Sequence, residues 1–596
     1  MGSKLGLWVS FLSSRSVFEV SVPSSRNNMK NLLVPLGLVA IYFGTAVALP
    51  APTQTLEERS TAAVTIHQGT IIGSSLNGVE NFGGIPFAEA PEGNLRLRPP
   101  QRLNSSLGTF DATGLGPGCP QMYFSTKGDL LSSVLGTLLN TPFLQTVTDQ
   151  KEDCLTVRVQ RPAGTKADAK LPVLFWIFGG GFELGSAQLY DSSGLISNGV
   201  DQGKPFITVA VNYRLGGFGF LAGKEILADG ASNLGLLDQR MALEWVQDNI
   251  EAFGGDPEKV TIWGESAGAI SVFNQMALYG GDNTYNGKKL FRAGIMNSGS
   301  ITPSDPIDCD RCQGVYDTVV ARAGCAGASD TLQCLREVDY DTFLGATNSV
   351  PGVLSYSSVA LSYSPRPDGV VLPESPDVLV ASGKYAAVPM IIGDQEDEGT
   401  LFSLFQPNIT DTDKLIDYLQ TQLFSGATRE HIEDLVSTYD SSIIAGSPFN
   451  TGIFNNPYPE FKRLAAILGD LVFTLTRRIF LTSALAANPD VPSWSYLASY
   501  DYGTPILGTF HASDILQVFY GLLPNYASKA IQSYYISFLY TMDPNNGTSS
   551  EFLEWPQWKE NKELMQFYND RGSLLADNFR SGSYDWITGH VKNLYF

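Results

Sequence analysis

The sequence predicts an α/β fold built on a large, mostly parallel central sheet with helices on both faces. Two observations carry that prediction. Near-continuous apolar runs stand at Leu171 to Phe178, Phe206 to Asn212, Val260 to Trp263 and Val388 to Ile392. Strands without polar alternation are buried on both sides, which is how parallel sheets read. Between these runs comes helical spacing, as in Asp238 to Asn249, where Met241, Trp245 and Val246 recur on one face. Strands alternating with helices give a sheet covered on both sides. No internal repeat, low-complexity tract or interdomain linker interrupts the 596 residues, so one large domain with long excursions accounts for the chain.

Ahead of the first strand lies a separate signal. Lys30 precedes a stretch from Leu32 to Leu49 that is almost wholly apolar, with the small residues Ala46-Val47-Ala48 at its end. A basic n-region, an apolar h-region and an A-x-A-like site describe a cleaved secretory signal peptide over 29–48. A membrane span is the competing reading, but the stretch is short for one and Pro35 and Gly37 interrupt it. A start at Met29 makes this an ordinary leader and residues 1–28 a gene-model extension. Gly2 does not mark myristoylation, because Gly6 stands where Ser or Thr is needed. Residues 49–63 read as a flexible lead-in and 64–596 as the folded domain. The expected location is secreted and extracellular.

The six cysteines, Cys119, Cys154, Cys309, Cys312, Cys325 and Cys334, suit an oxidising compartment. Spacing alone does not pair them. No Cys/His cluster has zinc spacing, so no metal is expected. Sequons at Asn104, Asn408 and Asn546 are candidate glycan sites. The formal net charge is -21 and the pI about 4.6. Such a charge disfavours nucleic acid and anionic membranes as partners and leaves neutral substrates.

The chemistry concentrates after Val260 to Trp263. Gly264-Glu265-Ser266-Ala267-Gly268 is a G-x-S-x-G sequence between that strand and a helix-compatible run from Ile270. This is the nucleophile elbow of α/β-hydrolases: a sharp turn lifts the serine hydroxyl clear of the sheet, and the N–H of the next residue, Ala267, points at an oxyanion. Gly179-Gly180-Gly181 ends the earlier strand and supplies backbone donors that no side chain obstructs. Serine needs a base. His67 precedes the sheet and His431 lies in a charged helical stretch with Arg429, Glu430, Glu433 and Asp434, which leaves His511 and His590, both in the order Ser, acid, His. Gly393 to Gly399 follows a strand and offers Asp394, Glu396, Asp397 and Glu398 as the acid. Residue physics leaves those four open.

Together these residues resemble the type-B carboxylesterase/lipase family, and within it secreted fungal lipases of the Candida rugosa type. The resemblance runs from about Val64 to the end. It is carried by Glu152-Asp153-Cys154-Leu155, by Trp176 to Glu183, by Asn233 to Arg240, by Phe253-Gly254-Gly255-Asp256-Pro257 and by the elbow. Gly393-Asp394-Gln395, Asp397 to Thr400, Gly508-Thr509-Phe510-His511, Trp555-Pro556-Gln557 and Asp577 to Arg580 extend it. The resemblance implies Glu398 as acid and His511 as base to Ser266. It implies Gly180, Gly181 and Ala267 as oxyanion donors, and the bridges Cys119–Cys154 and Cys325–Cys334. Cys309 and Cys312 fall outside its pattern, either paired with each other or free. Phe178 stands where many esterases of the family carry His, as in the lipase branch. No cofactor is implied.

Between Cys119 and Cys154, Leu130, Leu131, Val134, Leu135, Leu138 and Leu139 recur at helical spacing, with Phe143 and Leu144 beyond. Periodicity alone reads as a helix packed on the core; the resemblance implies a disulfide-tethered lid. The expected function is a secreted serine hydrolase of acylglycerols, and of sterol esters by extension. The alternatives are a carboxylesterase for short soluble or specialised esters, and a catalytically silent cholinesterase-like binding protein. The last is disfavoured because Ser266, Glu398 and His511 all stand.

Overall fold

The computed structural model describes residues 60–123, 147, 149–500, 504–519 and 524–596. The expected signal peptide, the 1–28 extension and the Leu130 to Leu144 stretch lie outside the described residues. The strands are β1 (Ser60–Ile66), β2 (Gly69–Leu76), β3 (Val79–Pro86), β4 (Gly108–Asp111), β5 (Thr156–Pro162), β6 (Leu171–Ile177), β7 (Ile207–Val211) and β8 (Gly255–Glu265). They continue as β9 (Thr284–Tyr285), β10 (Lys288–Lys289), β11 (Ala293–Asn297), β12 (Met390–Gln395), β13 (Ser493–Ala498), β14 (Glu563–Phe567) and β15 (Gly572–Ala576). All but the small β9–β10 hairpin join one 13-stranded sheet in the order β1-β2-β3-β5-β7-β6-β8-β11-β12-β13-β14-β15, with β4 beside β2.

From β7 to β14 every neighbouring pair is parallel, and the two flanks are antiparallel apart from β2–β4. The apolar runs of the sequence fall in the parallel centre, where both faces are covered. Residues 60–63, read from the sequence as lead-in, instead form the first half of β1, paired with Ile72 to Ser75. This edge strand is largely exposed, so its small and polar residues mimic a linker.

Neighbouring residues on a strand point to opposite faces, and that places the helices. A Cβ on Gly294 would meet Val272 at 3.3 Å and Met276 at 3.7 Å, so the helix Ala267–Ala277 lies on that face. Gly294 pairs with Ile262. The next residue, Trp263, turns to the other face, stacking on Phe519 at 5.2 Å and meeting Tyr535 edge-on at 5.9 Å. Tyr535 belongs to the helix Tyr526–Thr541, opened by a capping box between Asn525 and Ser528. Three disulfides are present, Cys119–Cys154, Cys309–Cys312 and Cys325–Cys334. Asn104, Asn408 and Asn546 are all exposed.

Buried ions fix the C-terminal part of the sheet. Arg477 is fully buried and reaches Asp394 of β12 at 3.0 Å and Asp577 at 2.9 Å. Asp577 also takes Arg478 at 2.8 Å and the Trp558 indole N–H at 2.9 Å. Burial alone would raise the Asp577 carboxyl; the two guanidiniums hold it below its usual range. Removing one partner of such a set strands a charge in the interior, which costs about 3–5 kcal/mol. Asp577→Ala is therefore expected to lower the urea unfolding midpoint clearly. Asp413→Ala, which removes one of three exposed acids around Arg429, should leave it unmoved.

Candidate active site

The elbow follows from steric exclusion at two glycines. Strand β8 ends at Glu265, and Ser266 takes φ 57° and ψ −126°, a conformation that side chains rarely adopt. The turn is tight enough that a Cβ on Gly264 would lie 2.3 Å from the backbone of Gly268. A Cβ on Gly268 would lie 2.0 Å from the Ile177 carbonyl at the end of β6. Only glycine fits either place. Ser266 N–H donates to the Asn297 carbonyl of β11 at 2.9 Å, which ties the strained residue to the neighbouring strand. The hydroxyl then stands at the C-terminal ends of the parallel strands.

Two loops bring the other groups to it. His511 Nε2 lies 2.8 Å from Ser266 Oγ, and His511 Nδ1 lies 2.5 Å from Glu398 Oε2. Glu398 Oε1 accepts the Gln395 N–H at 2.7 Å, so both carboxylate oxygens are spoken for. The His511 ring packs against Phe402 and Phe473, with centroids 5.0 and 4.7 Å away. Serine, histidine and carboxylate thus form a buried relay in which the imidazole can take the hydroxyl proton while the acid holds the ring.

Asp397, beside Glu398, sews the acid loop to the histidine loop. It accepts the Thr509 N–H at 3.0 Å, and its own N–H donates to the Thr509 carbonyl at 2.9 Å. Its other oxygen takes Ser447 Oγ at 2.8 Å and Phe449 N–H at 2.9 Å. Burial pushes this carboxyl up to about 7 against those donors. Asp394 is committed to Arg477. His590 stacks on Trp586 at 4.2 Å and makes no contact with Ser266.

Gly180, Gly181 and Ala267 line the same pocket as Ser266 and His511. Ala267 opens its helix, so its N–H has no acceptor within the helix. Gly180 and Gly181 have φ 112° and 64°. A Cβ on Gly180 would fall 2.3 Å from the Leu184 carbonyl, and one on Gly181 would press on Val353 at 3.1 Å. The pocket has a cavity volume of about 70 Å³, and its walls include Ile270, Leu354, Leu361, Leu401, Val472 and Phe596. Apart from the reacting groups, the wall is almost wholly apolar.

Three further acids surround the site: Glu265, which beside the nucleophile reads from the sequence as a buried electrostatic neighbour or a structural group, and Asp514 and Glu183, which carry no signal in the sequence. Glu265 is fully buried, with Oε1 3.3 Å from His511 Nε2. Burial raises its carboxyl well above the usual range, helped by Asp514 and Glu398. Asp514, raised by burial to about 6, accepts the Asn297 amide at 2.7 Å. Glu183, inside the Gly-rich motif, accepts the Val353 N–H at 2.7 Å and its carbonyl accepts the Met122 N–H at 2.9 Å. It therefore fastens the segment that backs Gly181.

A family model described as the carboxylesterase family matches residues 60–584. The chain is 61% identical over 548 residues to the secreted triacylglycerol lipase LIP1 of Gibberella zeae, covering 91% of this chain and 93% of that one. It is 59% identical over 571 residues to secreted lipase 1 of Botryotinia fuckeliana, covering 94% and 100%. Lipase 2 of Diutina rugosa is 45% identical over 567 residues, covering 94% and 100%. Among solved structures, Aspergillus niger EstA superposes with a TM-score of 0.76 at 25% identity, covering 90% of this chain and 99% of that one.

Glu183 gives a pH test of the Gly181 support. Burial raises its carboxyl to about 8, partly offset by the Val353 N–H. The folded chain therefore keeps a proton that the unfolded chain releases near its ordinary value of 4.5. The stability it contributes is full below that value and is lost as pH rises through about 8. Glu183→Gln keeps an oxygen for Val353 and cannot ionise. Melting temperatures from pH 5 to 9 are expected to show the wild type losing ground to the variant up to about pH 8, then running parallel to it. A constant difference across the range would contradict the burial of this carboxyl.

Proposed function

The chain belongs to the carboxylesterase family and is a carboxylic ester hydrolase of lipase type; we propose that it cleaves acylglycerols through an acyl-enzyme on Ser266. The observation that carries this reading is the Ser266–His511–Glu398 relay opening into a pocket with a largely apolar lining. The printed names of its relatives, secreted lipases at 59–61% identity, support both the substrate class and an extracellular setting. Sterol esters are the further substrate the same pocket would take.

In this mechanism neutral His511 accepts the Ser266 proton as the hydroxyl attacks the ester carbonyl. Glu398 holds the imidazole and stabilises the cation that forms. The N–H groups of Gly180, Gly181 and Ala267 receive the oxyanion. The alcohol leaves with the proton from His511, and water, activated by the same ring, releases the acid. Each backbone donor to the oxyanion is worth roughly 10²–10³ in rate. They are most effective here because the pocket keeps water away from the developing charge.

The test is hydrolysis of p-nitrophenyl esters from acetate to palmitate, and of tributyrin below and above its solubility limit. Ser266→Ala should lose activity on all of them by at least about 10⁴-fold, with its fold unchanged by circular dichroism. Preference for long chains, with a rise above the solubility limit, is the expected profile. Activity confined to short soluble esters would instead identify a carboxylesterase. An inactive, folded wild type would favour a binding role.

A further inference from the structure

Charged residues make up 17% of the chain, yet residues 441–459 hold none. Two pairs of large apolar side chains stand in water within that segment. Ile443 and Ile444 are 41% and 59% exposed, and Ile453 and Phe454 are 64% and 72% exposed. Single exposed apolar residues are ordinary, but adjacent pairs clustered in one uncharged segment are not. Ser441, Ser442 and Asn450 beside them are exposed and uncharged.

The segment is firmly mounted. Lys462 Nζ donates to Thr451 Oγ1 at 3.0 Å and to the Gly452 carbonyl at 2.9 Å, while its carbonyl accepts the Ser447 N–H at 2.9 Å. One lysine thus braces both halves, with an apolar pair on either side. The segment is also joined to the active-site loops. Ser447 and Phe449 donate to Asp397, and Asn455 Oδ1 accepts the Ile506 N–H at 2.9 Å. Asp397 and Ile506 lie in the loops that carry Glu398 and His511, at the ends of β12 and β13 where Ser266 also emerges.

We propose that the pairs Ile443–Ile444 and Ile453–Phe454 form an anchoring surface that seats the enzyme on a neutral lipid–water interface. The proposal rests on the lipase reading and deepens it. An uncharged, apolar phase matches side chains that need no cavity, and hydroxyl and amide neighbours lose less on leaving water than charges would. The net charge of -21 turns the same surface away from anionic bilayers.

The experiment separates adsorption from catalysis. In the Ser266→Ala background, the combined variant Ile443→Ser, Ile444→Ser, Ile453→Ser, Phe454→Ser is compared with its parent for partition onto triolein droplets coated with phosphatidylcholine. Partition is expected to fall on the order of 100-fold, to be insensitive to salt in the parent, and to be weak for both proteins on phosphatidylserine vesicles. Leu76→Ser and Val200→Ser, exposed elsewhere, should leave it unchanged. With Ser266 restored, the combined variant should hydrolyse dissolved p-nitrophenyl butyrate within about twofold of wild type and lose activity on triolein emulsions in step with partition. Equal partition of variant and parent would overturn the proposal, as would loss of activity on the dissolved ester. If the parent adsorbs through these pairs but the wild type, with Ser266 in place, leaves triolein intact, the surface stands and the lipase reading falls. If the variant with only Ile453→Ser and Phe454→Ser is the one that folds, its partition decides by the same criterion.

Discussion

The site depends on one close approach. Gly268 passes so near the Ile177 carbonyl that no side chain could stand between them, and Gly264 and Gly268 touch in the same way. That contact packs the first turn of the helix Ala267–Ala277 against the end of β6. With the turn compressed, Ser266 has no choice but a positive φ, and its hydroxyl leaves the sheet plane. Strain of this kind costs of order 1–3 kcal/mol and survives only where the surroundings over-determine it. Here the surroundings are the middle strands of a 13-stranded sheet and the Asn297 carbonyl of β11. The parallel order β6-β8-β11-β12-β13 then decides what else can reach the serine. The loops leaving β12 and β13 emerge on the same edge, so an acid on one and a histidine near the other converge without long excursions.

Holding a histidine there requires carboxylates in a place that resists them. Glu398, Glu265, Asp397 and Asp514 are all buried around His511. Four full charges in so small a volume would repel one another strongly in a water-poor setting. Burial resolves this by lifting Glu265, Asp397 and Asp514 above their ordinary range, toward protonated forms. Glu398 is the one of the four that meets the Nδ1 side of the His511 ring, and its other oxygen accepts the Gln395 N–H. Arg477 acts one layer behind, drawing Asp394 away from the histidine and toward Asp577.

Much of this was legible in the sequence, because much of it is local. The parallel strands declare themselves by unbroken apolar runs, and the elbow by its two glycines, whose need is steric and falls within five residues. The edge strand β1 did not declare itself, since a strand half in water has the composition of a linker. The choice between His511 and His590 is tertiary. His511 is enclosed by Phe402 and Phe473, each distant in sequence, while His590 rests on Trp586 one helical turn away. The acid was ambiguous for a like reason. Asp394, Asp397 and Glu398 sit within five residues and differ only in what folds against them: Arg477, the Thr509 and Ser447 backbone and hydroxyl, or the imidazole. Family resemblance chose Glu398 where residue physics could not. Glu183 and Asp514 escaped notice because a lone acid in a sequence carries no sign of its burial.

The pocket has two unlike halves, and the reacting atoms lie on their boundary. Behind Ser266 is a rigid polar wall of backbone amides, buried acids and the histidine. In front is an apolar wall that includes Ile270, Leu361, Leu401 and Phe596. An ester matches that division, since its chain is apolar and its carbonyl oxygen is the atom that gains charge. A chain settled among the apolar residues places the carbonyl at the polar edge without binding the charge itself. Affinity for the chain and stabilisation of the transition state therefore come from different residues. Changes to the apolar wall should redistribute chain preference, whereas changes to the polar wall reach every ester alike, because only the second acts on the charge that develops.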